Sequence, residues 1–350
     1  MTRPPETNPT PTPEPSPEAT PTGNTITAGH LSLTVWDAPA PAPASPNDNG
    51  SGLPGGDRGL TAEPVDRGGR RVLYESHLHT TFCKHAKGTI EQYAAQAHAR
   101  GLAGIVVTCH NPMPDGYAAK MRMDPDELDA YVAAVDRARA AFEGRVDVRL
   151  GLEADYVPGY EKQVELQLAS HDFDFVLGSV HPQVPAYQDR YYAKDTFKFQ
   201  QVYFQHLAES AETGLFDSLA HPDLIKHLMP RVWSVGKIMP DACRALDRIA
   251  RTGVAMEFNT SGWRKPLGEA SPHPRLLYEM ARRRIPVTLG ADAHSPQRVG
   301  YRFREALRLI QAAGYRHVSV FKQRKRQDLK IADAYRTLTA AKPQQTPTPA

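Results

Sequence analysis

The sequence predicts an α/β protein in which a disordered, Pro-rich N-terminal tail precedes one parallel-sheet domain. Three observations carry this reading. Fourteen of the 31 prolines fall in the first 70 residues. Beyond them, seven short apolar runs alternate with longer stretches of helical period. Histidines and carboxylates gather just after those runs, where a parallel sheet would bring them to one face.

Residues 1–70 hold no lysine and one aromatic residue, Trp36. Such a segment cannot bury enough apolar surface to offset the entropy of ordering it. The apolar patch Ile26–Trp36 is too short to change that expectation. Residues 71–337 form the expected domain, of the size at which α/β barrels live, and 338–350 form a second disordered tail. Removing residues 1–68 is expected to leave activity and melting temperature nearly unchanged.

The expected strands are Leu73–His77, Gly104–Thr108, Asp147–Leu152, Phe173–Val180, Asp217–Ala220, Val254–Phe258 and Ile285–Gly290. Helices are expected between them. Thr89-Ile-Glu-Gln92 reads as a capping box whose helix Gly101 closes. Asp124-Pro125 opens another, with Leu128, Tyr131, Val132, Val135 and Phe142 on one face. Further helices are expected near Tyr160–Ala169, Asp195–Thr213, Pro240–Thr252, Pro274–Arg284 and Arg302–Ala313. Strand–helix alternation of this kind gives a parallel sheet, for which closure into a barrel is economical; an open doubly wound sheet satisfies the same pattern.

Charge and cysteine usage narrow the class. The net charge is +3, but the tail contributes eight acids against four arginines, so the domain carries about +7. That balance suits a small anion, and no basic stripe precedes Lys322 to suggest nucleic acid. Cys83, Cys109 and Cys243 show neither disulfide nor zinc-ribbon spacing, which points to a reducing cytoplasm. The N-terminus lacks the features of a secretory signal, and no run of 18 apolar residues would span a membrane.

The expected strand ends carry His77 and His79, His110, Glu153, His181, His221, then Asp292 and His294, with His85 shortly after the first strand. The sixth strand offers Glu257 and Asn259. A lone strand-end histidine is ordinarily a hydrogen-bonded loop residue. HxH and DxH pairs put both members on one side of a strand, and with four further donors they point to a shared metal site. Nine donors are too many for one tetrahedral ion. Nitrogen and carboxylate ligands without thiolate suit two or three divalent ions of zinc, manganese or iron, with Glu153 as the bridge. Alternation should turn Cys109 away from His110, so Cys109 and Cys83 read as packing residues.

The runs HLHTTFCKH (77–85), TCH (108–110), GLEADYVPGYE (151–161), GSVH (178–181), AHPD (220–223), EFNTSGWRKP (257–266) and GADAHSP (290–296) resemble the polymerase-and-histidinol-phosphatase (PHP) superfamily. GLEADYVPGYE and NTSGWRKP narrow the resemblance to its histidinol-phosphatases. The resemblance covers about Leu73 to Phe321. It implies a distorted (β/α)7 barrel with a trinuclear metal centre. His77, His79, Glu153 and Asp292 would hold one ion, and Glu153 would bridge to a second that also uses His181. His85, His110, His221 and His294 would complete the second and third sites. One departure is Cys109, where the family usually has an acid.

The chemistry can also be argued from the parts. No Cys-x5-Arg loop, strand-end DxD, RHG motif or Walker loop is present, so a covalent protein nucleophile is unsupported. A metal cluster would instead acidify water and neutralise a phosphoryl group. Together with the resemblance, this gives in-line attack by a metal-bridging hydroxide on L-histidinol phosphate, a step of histidine biosynthesis, with Glu153, Asp292 and His294 as catalytic residues. Arg264, and less directly Arg190, would hold the phosphate. Asp155 or Glu257 would meet the substrate's cationic groups or support a histidine. Two other readings stay open: a phosphodiesterase or nuclease, for which Tyr187, Tyr191 and Tyr192 with Arg190 and Lys194 offer a faint strand-binding surface, and a metal-binding regulatory protein without turnover.

Overall fold

The computed structural model describes residues 23–28, 31–36 and 71–338. The expected tails 1–70 and 338–350 lie outside them, apart from one hairpin and Leu338. The hairpin pairs β1 (Gly23–Ala28) with β2 (Leu31–Trp36) antiparallel, Ile26 opposite Leu33. Its two strands alternate apolar and polar residues, Leu31, Leu33 and Val35 against Ser32 and Thr34, the pattern of a strand rather than of a featureless linker.

The domain runs β3 (Tyr74–Leu78), α1 (Ile90–Ala99), β4 (Gly104–Val107), α2 (Leu128–Ala141), β5 (Asp147–Asp155), α3 (Glu161–Ala169), β6 (Phe175–Ser179), α4 (Pro185–Tyr191), α5 (Thr196–Glu212), β7 (Ser218–Leu219), α6 (Val235–Thr252), β8 (Ala255–Asn259), α7 (Pro274–Arg282), β9 (Val287–Gly290) and α8 (Phe303–Ala312). The seven strands β3 to β9 form one parallel sheet in sequence order. A bridge between Leu78 and Ala293 joins the first strand to the last, with His79 N–H donating to Ala293 O at 2.9 Å and Ala293 N–H to His77 O at 3.0 Å. The closed alternative is therefore the one adopted.

Closure by so short a bridge leaves the β3–β9 seam in need of polar partners lower down. Glu75 supplies them: its buried carboxylate accepts from His77 N, Ala291 N (2.8 Å) and Gly300 N (2.7 Å). A side chain thus does the work of a missing ladder, satisfying amides that would otherwise be buried unpaired.

Local sequence explains the elements. Thr89 and Gln92 form the reciprocal capping box of α1. Two expectations shift. β5 continues past Leu152 to Asp155 because β6 pairs with it through Ser179, so Glu153 and Asp155 sit within a strand. α6 begins at Val235, ahead of Pro240, which lies inside it.

The end of the barrel opposite the metal-type residues is closed by elements the sequence reading did not foresee. β10 (His317–Lys322) and β11 (Lys325–Lys330) make an antiparallel hairpin, followed by α9 (Ile331–Thr337). Phe321 joins a buried cluster with Val106, Phe175, Leu177, Ala220 and Ala255, its ring 5.1 Å from that of Phe175. Arg149 donates to Phe321 O, and the hairpin turn is tied down by Arg324 on Asp217 and Leu215 O.

Candidate metal centre

All nine donors expected from the sequence meet at the C-terminal end of the barrel. Glu153 stands at their middle, its carboxylate buried and 2.8 Å from His110 Nδ1, 3.2 Å from His221 Nε2, 3.4 Å from His181 Nε2 and 3.5 Å from both His77 Nε2 and His79 Nε2. Asp292 Oδ1 lies 3.1 Å from His79 Nε2, 3.7 Å from His77 Nε2 and 3.4 Å from His294 Nδ1. His85, beyond the turn Thr81–Cys83, reaches His294 with their Nε2 atoms 2.9 Å apart.

The second nitrogens fix the tautomers. His77 Nδ1 lies 2.8 Å from Glu257, and His181 Nδ1 lies 2.9 Å from Asp155. His85 Nδ1 contacts Cys83 O at 2.6 Å, and His294 Nδ1 contacts Asp292 O at 3.1 Å. An oxygen acceptor on Nδ1 puts the proton there and leaves an Nε2 lone pair pointing inward. The 2.9 Å approach of His85 and His294 then sets two lone pairs against each other. Glu153 Oε2 and His110 Nδ1 are likewise both buried without a hydrogen bond, although they are 2.8 Å apart. Converging acceptors of this kind are unfavourable alone and fit divalent cations.

Charge is spread unevenly over the donors. Against the effect of burial, Asp292 and Glu153 raise His79 to about 9, and Asp155 and Glu153 raise His181 to about 10, so without a metal these imidazoles carry the positive charge that balances the carboxylates. Burial works to raise the Glu153 carboxyl, yet His110, His77 and His181 around it hold it well below the ordinary range. Burial pushes His110 down to about 4 and His294 down to about 3, which keeps both imidazoles neutral and able to donate a lone pair.

Backbone geometry shows how closely these groups are held. His221 and Asp292 both adopt positive φ, 27° and 51°, a conformation that costs a non-glycine residue energy and turns each side chain inward from its strand end. Gly290 is where a side chain has no room: a Cβ would stand 2.1 Å from Glu257 Oε1 and 2.5 Å from His77 Cβ.

Glu257 and Asp155 are both engaged as partners of histidines. Glu257 also accepts from His221 N and Asn259 Nδ2, each at 2.9 Å. Asp155 is paired at 2.8 Å with Arg122, a buried residue that sequence reasoning missed. Nothing in the sequence around Arg122 distinguishes it; only the return of its loop over β5 does. Arg264 ends the turn Ser261–Arg264 and is exposed, with Arg298 and Asp292 among its charged neighbours. The adjacent Lys265, also missed, is half-buried and faces Asp292 and Glu153 electrostatically. Arg190 instead donates to Tyr160 Oη at 2.8 Å and lies over that ring. Cys83 and Cys109 are buried, as expected of packing residues, but they are not remote from the histidines. Each lies within 4.8 Å of a His79 ring nitrogen, and Cys83 lies as close to His85 and His294.

Among the described residues no helix is long and apolar enough to cross a membrane. The family model for the PHP domain matches residues 75–261, just over half of the chain. The chain is 43% identical over 264 residues to a "probable histidinol-phosphatase" of Deinococcus radiodurans, an alignment covering 73% of this chain and 98% of the relative. It is 28% identical over 259 residues to the histidinol-phosphatase of Bacillus subtilis, covering 65% and 96%. Among solved structures it resembles the histidinol phosphate phosphatase of Lactococcus lactis complexed with zinc, L-histidinol and phosphate, at TM-score 0.63 and 21% identity, covering 73% of this chain and 98% of that one. A barrel of seven parallel strands with these donors at its C-terminal end, spanned almost end to end by such relatives, places this chain in the PHP domain family.

Proposed function

We propose that this protein is a metal-dependent histidinol-phosphatase, hydrolysing L-histidinol phosphate to L-histidinol and inorganic phosphate. The observation that carries the reading is the convergence of nine donors around one buried carboxylate, in a chain 43% identical to a relative named for that activity. His77, His79, Glu153 and Asp292 would hold one ion; Glu153 and His181 would share a second; His85, His110, His221 and His294 would complete the remaining coordination, for two or three ions of zinc, manganese or iron. Bound divalent ions supply Lewis acidity to the phosphoryl oxygens and to water.

The chain's own residues set the geometry for that chemistry. Glu257 and Asp155 hold His77 and His181 in the tautomer that presents Nε2 inward. Asp292 is kept ionised by His77, His79 and His294, against the effect of burial, and stays an anionic ligand through the catalytic pH range. Arg264 and Lys265 bring positive charge to the same side as Asp292, suited to two oxygens of a phosphate monoester. Arg190 would join only by leaving Tyr160.

The test is phosphate release from L-histidinol phosphate beside a panel of small phosphomonoesters and an oligonucleotide, with zinc, manganese or iron added. Preference for histidinol phosphate by orders of magnitude in kcat/KM is expected. Faster release from the oligonucleotide would replace this reading with the nuclease one.

A further inference from the structure

Two thiols sit directly against the candidate metal centre. Cys83 closes the short turn after β3, Cys109 lies between Thr108 and the donor His110, and neither side chain reaches solvent. Their sulfurs lie within 4.8 Å of each other and of a ring nitrogen of His79; Cys83 is equally close to nitrogens of His85 and His294. Cys109 Sγ accepts from Thr80 Oγ1 at 3.2 Å. Thr81, Lys84 and His85 around the turn are exposed, so the residues flanking Cys83 reach solvent although its thiol does not. The third cysteine, Cys243, is on α6 and belongs to another part of the barrel wall.

We infer that Cys83 and Cys109 are an oxidation site whose disulfide expels an ion from the side of the centre built by His85, His110 and His294. A peroxide is the oxidant. One thiolate attacks a peroxide oxygen and becomes a sulfenic acid as water leaves; the second sulfur displaces the hydroxyl, giving one S–S bond and a second water, with two thiols oxidised per peroxide reduced.

The effect on the centre follows from connectivity. A disulfide requires the sulfurs to close to about 2.05 Å with the Cβ atoms about 3.8 Å apart. That contraction draws the Cys83 turn toward the end of β4. His85 is tied to this turn by its 2.6 Å contact with Cys83 O, and His110 is the residue next to Cys109. Both donors move with the sulfurs, whereas the His77 ring is anchored on Glu257 of β8 and Asp292 follows β9; Glu153, whose N–H donates to Cys109 O at 3.0 Å, stands between the two sides. In the reducing interior to which the unpaired cysteines point, such a bond is a transient, reversible one. The part of this inference that concerns the ion rests on the metal-dependent reading above; the thiol chemistry does not.

The test uses the full-length, zinc-loaded protein exposed to hydrogen peroxide. Thiols titrated after denaturation are expected to fall from three to one, with a Cys83–Cys109 cross-link in the peptide map. Released zinc is expected to reach about one ion per chain. Dithiothreitol followed by zinc should restore both counts. C109S, which keeps the Thr80 hydrogen bond, is expected to retain its zinc through the same exposure, and C243S to lose it as the parent does. Zinc released while both thiols remain free would overturn the inference, as would a disulfide formed with all zinc retained, or a protein that takes up no zinc. None of these readouts uses substrate. A protein that passes them yet leaves histidinol phosphate intact would sink the phosphatase reading alone.

Discussion

Replacing Glu257 by glutamine separates holding a histidine from binding a metal. The Glu257 carboxylate is buried and accepts three hydrogen bonds: from His77 Nδ1 at 2.8 Å, His221 N at 2.9 Å and Asn259 Nδ2 at 2.9 Å. Glutamine has the same shape but only one acceptor oxygen, so its amide N–H2 must face one of those donors. Leaving one buried donor unpaired costs about 1–3 kcal/mol. The imidazole also loses the negative charge that strengthens its Nε2 lone pair, and loss of such a partner lowers metal affinity about 10- to 100-fold, or about 1.4–2.7 kcal/mol. Two assays divide these effects. Urea unfolding of the metal-free protein reads the first, and competition with a zinc chelator reads the second. Unchanged zinc affinity in E257Q, whatever its stability, would refute the argument that Glu257 acts through His77.

The remaining predictions follow from the same geometry. Glu153→Ala and Asp292→Ala should each lower kcat by at least about 10³ and reduce bound metal, with the circular dichroism spectrum retained; a variant with normal turnover would remove that residue from the centre. Gly290→Ala should destabilise by about 1–3 kcal/mol in urea titration, because its Cβ would overlap Glu257 and His77; wild-type stability would mean the strand shifts freely. Arg264→Ala is expected to raise KM about tenfold or more, the worth of a charged hydrogen bond to phosphate, with Arg190→Ala close to wild type; steady-state kinetics showing the reverse order would move the phosphate to the Tyr160 side. Stripping metal with a chelator should abolish turnover and lower the melting temperature, both recovered on adding zinc or manganese.

How much of this was legible in the sequence depended on the range of the contacts. Strand ends are local: an apolar run followed by a polar residue marks its own end, and eight of the nine donors came from that signal, His85 lying beyond the turn Thr81–Cys83. The parallel fold then turned a linear list into a ring, since every strand points the same way. Closure was not local, because the Leu78–Ala293 bridge joins residues with nearly the whole domain between them. Arg122 was invisible for the same reason: only the folded loop reveals Asp155 as its partner. Alternation separates Cys109 from its neighbour His110, but it could not show that Cys109 comes within 4.8 Å of a His79 ring nitrogen, or that the loop carrying Cys83 folds back onto the same spot. Arg190 is expected near the site from its position after His181; its contact with Tyr160 is tertiary and could not be read from the sequence. The β10–β11 hairpin had too many charged residues to read as a core element; its value lies in β10, where Val318, Val320 and Phe321 are buried.

That hairpin has a consequence for synthesis. The barrel floor is finished by Phe321 and Arg324, which reach back 172 residues to Arg149 and 107 residues to Asp217. A chain emerging from the ribosome at about 5–20 residues per second therefore exposes an open-bottomed barrel, with Phe175 and its apolar neighbours uncovered, for several seconds or more. Apolar surface exposed during that interval is prone to aggregation. Truncations just short of residue 321 should consequently be found in aggregates, even though they contain every residue of the metal centre.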